Sequence, residues 1–367
     1  VAPTIGIADI IELAAAGGAG VVLEEGSLTS HVAVLCRAAG IPAVVGVHDA
    51  CSRLENGRQL VVDGTLGTVH HDDAATNTGV DSGPSCEKEV ALTACGQAIV
   101  VRANLSLQLS AATARRMGTR GVGLMRTFYQ YVGRTTLPTE DELAEVYTRV
   151  ARDFHPDPVT IRLLDLGGSF GPEELPAELR NLRDCRGIRL FTERSGVIVS
   201  QIRALCRAAT VGNLRVLVPF VTDLEEVRSV REAFDEQAAD LGDTGALPTA
   251  IGAMIEVPAA VLQIDALAEL TDFFAIGTND LSQYILATPR DSQVRPANHI
   301  HPAVLRAIAL VCAAGERHNK GVSLCGEIAS EPGAIAALLG AGLRELSVSP
   351  RLAPAVIAAI GSTQLTT

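Results

Sequence analysis

Short runs of apolar residues recur along the whole chain, and their spacing divides it into two regimes. From Val1 to about Val69 the runs Gly20-Val21-Val22-Leu23, Ala43-Val44-Val45 and Gln59 to Gly64 are separated by turns, a pattern that predicts a small mixed α/β domain over residues 1–69. His70 through Glu87 has no periodicity and reads as part of a linker over 70–96. From Ala98 onward strand-like runs alternate with helical segments. They are Ala98–Val101, Gly121–Met125, Val159–Leu164, Leu214–Val218, Ala250–Ile255, Phe273–Ile276, Gly321–Leu324 and Leu346–Val348. Eight strands with helices between them predict an α/β fold, a (β/α)8 barrel over 97–367; a doubly wound open sheet is the competing architecture. Thr222-Asp223-Leu224-Glu225 reads as a capping box opening a helix with Leu224, Val227, Val230 and Phe234 on one side.

The chain has 367 residues, enough for two domains, one of them a large barrel. Hydrophobic residues make up 47% but aromatic ones only 3%, so the core must be built from Ala, Val, Leu and Ile, which suits α/β packing. A formal net charge of −12 without a Lys/Arg cluster argues against a nucleic-acid partner. The 8 cysteines lack CxxC spacing and read as reduced, mostly buried thiols of a cytoplasmic protein. No long apolar run and no basic segment before one predicts membrane insertion or secretion. His70, His71, Asp72 and Asp73 are adjacent in a polar stretch and lack the spacing of a defined metal site.

If the barrel is right, polar residues at the C-terminal strand ends converge on one site: Arg126, Arg162 with Asp165, Glu256, Asn279 with Asp280, and Cys325 with Glu327. Glu256 and Asp280 end consecutive strands and could share a hard cation such as Mg2+. Arg126, Arg162 and Arg290 suit bidentate contacts with phosphate or carboxylate. In the first domain, Thr29-Ser30-His31 sits where a glycine-containing loop turns into a helix. The first free N–H groups and the dipole would there stabilise an anion beside the ring, and Thr29 or Ser30 could cap the helix. An incidental histidine in a plain strand-to-helix turn is the alternative.

Around His31, with Gly40 to Val47 returning at once to a strand, the chain resembles the swivelling phosphohistidine domain of the phosphoenolpyruvate-utilising enzymes. Gly121-Val-Gly-Leu-Met-Arg-Thr127, Arg162 with Asp165-Leu-Gly-Gly168, Met254-Ile-Glu-Val-Pro-Ala-Ala260, Ile276-Gly-Thr-Asn-Asp-Leu-Ser-Gln-Tyr284 and Leu324-Cys-Gly-Glu327 extend the resemblance over nearly the whole chain. The long Gly-Thr-Asn-Asp-Leu-x-Gln-Tyr run is similar to that of enzyme I of the sugar phosphotransferase system, more than to the synthase and dikinase branches. The resemblance implies that His31 carries the phosphoryl group and that Glu256 and Asp280 bind Mg2+. It also implies that Arg126, Arg162, Arg186, Asn279 and Arg290 hold phosphoenolpyruvate, while Cys325 handles the proton of the three-carbon unit. Pyruvate as product, a small phosphocarrier protein as acceptor, a homodimer through the barrel and a further strand upstream of Val1 follow from the same resemblance.

Three positions depart from the family pattern. Phe128 stands where a glutamate follows Arg-Thr, Ser169-Phe170 replaces Asp-Lys, and Asn181 to Cys185 lacks the Asn-Pro-Phe-Leu-Gly run before Arg186. Phe128 and the altered loop near Asn181 favour a weakened regulatory phosphoacceptor as one alternative; a synthase- or dikinase-like enzyme is the other.

Overall fold

The computed structural model describes residues 1–6, 9, 10, 13, 18–26, 32, 33, 36, 41–64, 66–71, 90–105, 111–166, 175–180, 185–192, 196–288 and 299–365. In the first part, β1 (Val21–Val22) pairs in parallel with β2 (Ala43–Val44), and β3 (Leu60–Asp63) forms an antiparallel pair with β4 (Thr68–His71). His70 and His71 therefore do not begin a structureless stretch. They lie opposite Val61 and Leu60 in a ladder whose backbone pairing overrides the polar side chains. His31 and its neighbours Thr29 and Ser30 lie outside the described residues.

The larger part is a closed barrel of eight parallel strands: β6 (Ala98–Leu105), β7 (Val122–Met125), β8 (Val159–Arg162), β9 (Leu214–Val218), β10 (Ala250–Ile255), β11 (Phe273–Ile276), β12 (Gly321–Leu324) and β13 (Glu345–Val348). Each pairs with the next, and β13 returns to β6 with Glu345 opposite Val100 and Val348 opposite Ala103. That last pairing excludes the doubly wound alternative, which would leave two open edges. A short strand, β5 (Ala91–Leu92), lies antiparallel on the start of β6, within the stretch read from sequence as linker.

Along β6 the side chains alternate. Ile99, Val101, Ala103 and Leu105 are buried toward the helices, and Val100, Arg102 and Asn104 are only partly buried. A separate apolar cluster of Leu124, Leu217, Met254, Phe273, Ala275 and Cys325 gathers residues from β7, β9, β10, β11 and the end of β12. Below it, Arg102 makes a two-point contact with Glu345, Nε to Oε1 at 2.7 Å and Nη2 to Oε2 at 3.1 Å, tying the first barrel strand to the last.

The outer helices follow the sequence signals, with one shift of register. Helix Leu224–Leu241 buries Val227, Val230 and Phe234, but its N-cap is Asp223 rather than Thr222, and Glu226 closes the capping box rather than Glu225. Both candidates are good caps, and the structure uses Thr222 as a further donor to Glu226. Helix Glu140–Phe154 opens with a second box, Thr139 with Glu142. Among the described residues no helix is long and apolar enough to cross a membrane.

Candidate active site

The C-terminal ends of the strands deliver charged residues to one mouth of the barrel, where barrels of this kind place their chemistry. Arg162 ends β8, Glu256 follows β10, and Asn279 and Asp280 open the helix Thr278–Leu286 directly after β11. Cys325 follows β12 and Arg126 follows β7. Burial at such a position is costly for a charge unless it finds a partner, so the ion pairs organise the site.

Asp165 is the hub of the positive side. It accepts two hydrogen bonds from Arg186, Nε to Oδ1 at 3.0 Å and Nη2 to Oδ2 at 3.2 Å, and a third from the Gly187 N–H at 2.9 Å. Arg162 adds an ion pair at 3.4 Å. Burial disfavours charge on Asp165, but the two guanidinium groups outweigh it and hold the carboxyl below the usual range. Arg186 also reaches toward Asp280, 3.8 Å away, so one arginine bridges the two acidic positions.

Glu256 is fully buried. Its Oε1 accepts the Phe220 N–H at 2.8 Å, while its Oε2 has no hydrogen-bond partner among the described residues. Gly277 keeps the space beside that oxygen open, since a Cβ there would lie 2.9 Å from Oε2. Burial, then the nearby Asp280 charge, pushes Glu256 well above the usual carboxylate range. An orphaned carboxylate oxygen in a cleared space, with a second carboxylate close by, fits a hard divalent cation that takes its other ligands from water and substrate. Among the described residues no group of three or more His, Cys, Asp or Glu could hold a metal, so any such site rests on this pair.

Cys325 is buried, and its Sγ donates toward the Ile276 carbonyl at 3.5 Å. Burial and the Glu256 charge push the thiol up to about 12, so it stays protonated at ordinary pH. Arg126 and Arg162 are near enough to oppose that rise. Asn104, on β6, donates from Nδ2 to the Cys325 carbonyl at 3.2 Å, and Ser347 on β13 donates to Asn104 Oδ1 at 2.6 Å. Neither Asn104 nor Ser347 carries a sequence signal of its own; the alternation along β6 and β13 could have pointed to both.

Of the residues singled out from sequence, Arg126, Arg162, Arg186, Glu256, Asp280 and Cys325 are brought within electrostatic reach of one another, and Asn279 joins them through Glu327. Arg290, like His31, lies outside the described residues, as do Ser169, Phe170 and Asn181. Phe128 lies buried in the turn after Arg126, its ring 3.8 Å from that of Tyr129. The expectation of mostly buried thiols holds for Cys36, Cys206, Cys312 and Cys325 but not for Cys51 and Cys95, which are exposed.

The chain is similar to known proteins over most of its length. The family model of the PEP-utilising enzyme, PEP-binding domain, matches residues 82–365, and that of the PEP-utilising enzyme, mobile domain, matches residues 1–67. The chain belongs to the family of PEP-utilising enzymes. It is 38% identical over 354 residues to a multiphosphoryl transfer protein of Xanthomonas campestris, covering 92% of this chain and 42% of that one. It is also 38% identical over 363 residues to the phosphoenolpyruvate-protein phosphotransferase of Haloferax volcanii, covering 94% and 63%. The protein of that name from Geobacillus stearothermophilus is 35% identical over 352 residues, covering 90% and 60%. The chain thus spans less than two thirds of the length of these relatives.

Proposed function

We propose that this chain transfers the phosphoryl group of phosphoenolpyruvate to His31 in a Mg2+-dependent step that releases pyruvate, and passes it on to a small phosphocarrier protein. The observation that carries the reading is the arrangement at the barrel mouth. Arg162 and Arg186 are fixed on Asp165 beside two carboxylates, one of which keeps an oxygen free of hydrogen bonds. Phosphoryl transfer needs little covalent help from the protein and much positioning and charge neutralisation, and this set supplies both.

Arg126, Arg162, Arg186, Asn279 and Arg290 would grip the phosphate and carboxylate of the substrate. Glu256 and Asp280 would hold Mg2+, which supplies charge neutralisation at the transferring and leaving oxygens. His31 approaches in line and takes the phosphoryl group as the bond to the enol oxygen breaks. Cys325 then gives its thiol proton to the methylene carbon of the enolate, completing pyruvate. We assign residues 1–69 to a swivelling domain, 70–96 to its linker and 97–367 to the barrel. The domain would carry His31 from the barrel to the acceptor. The same family reading extends to a homodimer through the barrel and a cytoplasmic location.

Incubation with labelled phosphoenolpyruvate and Mg2+ tests this reading. An acid-labile, base-stable label on the wild type that disappears in His31→Ala, while substrate binding persists, is the expected result. A label mapped to His70 or His71 would overturn the assignment of His31. No label under any condition would favour a regulatory phosphoacceptor.

A further inference from the structure

Phe220 is an aromatic residue with φ of +53°, a left-handed backbone that side chains with a Cβ rarely adopt and bulky ones least of all. It is almost fully buried, follows β9, and stands between the two halves of the charged mouth. Strain of this kind persists only where the surroundings impose it, and here three contacts do. The N–H, turned inward by the left-handed conformation, donates to Glu256 Oε1 at 2.8 Å, leaving Oε2 as the unpartnered oxygen. The ring lies under the Arg186 guanidinium, whose central carbon is 4.2 Å from the ring centroid. On another side the ring meets Tyr284 edge-on, 6.4 Å between centroids and 88° between planes.

The fit leaves no slack. Gly187 is also left-handed, at φ +53°, and a Cβ there would lie 2.7 Å from Phe220 Cβ and 2.9 Å from the Pro219 carbonyl oxygen. Gly187 brings its own N–H to Asp165 and its neighbour Arg186 onto the ring. Arg186 is thus held in its plane by the Asp165 carboxylate along one edge and by the Phe220 face beneath. A guanidinium fixed on two sides loses little further freedom on gripping an anion, and its remaining N–H donors point where they are set.

We propose that Phe220 is a positioning residue of the barrel mouth, its ring carrying Arg186 for anion binding while its backbone N–H aims the Glu256 carboxylate. The proposal deepens the reading given above and rests on it, since it takes Arg186 as a contact to phosphoenolpyruvate. It concerns the side chain and the backbone separately. Any residue at 220 that keeps the turn keeps the N–H to Glu256, whereas only an aromatic one keeps the support under Arg186.

That separation defines the test. Phe220→Met and Phe220→Leu remove the π face while keeping apolar bulk, and having two such variants guards against one failing to fold; Phe220→Tyr restores the face. Phosphoenolpyruvate affinity is measured by calorimetry in the presence of Mg2+, and Mn2+ affinity without substrate by electron paramagnetic resonance. A cation–π contact of this type is worth about 2- to 30-fold in affinity, so the expected loss in Met and Leu is of that size, with recovery in Tyr. Mn2+ affinity is expected to stay at the wild-type value in all three, because the backbone donor remains. A general loosening would lower both affinities together, and that outcome overturns the proposal, as does full substrate affinity in a folded Met or Leu variant. Failure of the wild type to bind phosphoenolpyruvate would overturn the proposed function and this inference with it.

Discussion

Asn279 and Glu327 hold each other by two bonds of opposite sense. Asn279 Nδ2 donates to Glu327 Oε1 at 3.3 Å, and the Glu327 backbone N–H donates to Asn279 Oδ1 at 3.1 Å. The amide can therefore be oriented in only one way, with one Nδ2 hydrogen left for the barrel mouth. It also joins the turn after β11 to the turn after β12, the two segments that carry Asp280 and Cys325.

From this pairing, Asn279→Asp should weaken phosphoenolpyruvate binding about tenfold or more, because a second carboxylate would face Glu327 and lose the donated bond. Adding Glu327→Gln should recover only the part of the loss that comes from the broken pairing, since its amide can donate to the new carboxylate while the Nδ2 donor facing the substrate stays missing. Calorimetric titration of the single and double variants decides the matter. No recovery in the double variant would mean that the pairing does not govern the affinity.

Cation binding should be coupled to protons. Burial and Asp280 raise Glu256, so in the absence of a cation it binds a proton over a range where an exposed carboxylate does not. A group raised in the folded state stabilises it fully below the unfolded value and loses that contribution as pH climbs through the folded value. Mg2+ should therefore release protons near neutral pH and stabilise the chain most on the alkaline side of that range. Asp280→Asn should weaken Mg2+ binding by about 10- to 100-fold, the range seen even when groups one shell further out are lost. Proton release measured with a pH indicator during Mg2+ titration checks the first point; its absence in the wild type would rule out Glu256 as the ligand.

Cys325→Ala should leave phosphoenolpyruvate and Mg2+ binding near wild type, because no charge or ligand is removed. Exchange of pyruvate methyl protons with solvent, followed by NMR in deuterated buffer, should slow by about 10²- to 10⁴-fold if the thiol is the proton carrier. Unchanged exchange with binding confirmed would make Cys325 a packing residue only.

Stability should fall at alkaline pH. Burial pushes Cys36 and Cys206 up to about 11, and Cys312 and Cys325 up to about 12, from 9.0. Between those values the unfolded chain has lost protons that the folded one keeps, so the unfolding free energy must decline as pH rises. Urea midpoints at about pH 8 and about pH 10 measure it, and a Cys312→Ala chain should show a shallower decline. Equal slopes would place the effect elsewhere.

Much of this was legible in the sequence because strands buried on both faces announce themselves. All eight barrel strands lie where apolar runs such as Leu214–Val218 and Ala250–Ile255 put them, and the polar residues just beyond each run form the mouth. What could not be read was anything that depends on the path of a loop. Asp165 and Arg186 are separated by a stretch without periodicity, so nothing in their spacing predicts their two-point contact. Nothing in the sequence marks Phe220, since a left-handed φ at a non-glycine leaves no compositional mark. His70 and His71 looked like loop because side-chain polarity says little about a ladder made by backbone groups.

Closure of the ring carries a consequence for how the protein is made. The Arg102–Glu345 contact joins residues 243 positions apart, and the β13 to β6 ladder spans a comparable distance. A ribosome delivers β13 after the other seven barrel strands, and synthesis of such a stretch takes on the order of tens of seconds. Until then β12 presents a bare parallel edge, and so does β6 beyond the short stretch that β5 covers. The mouth built from their ends cannot be complete on a nascent chain, and so His31, the proposed acceptor, is synthesised well before the machinery proposed to charge it.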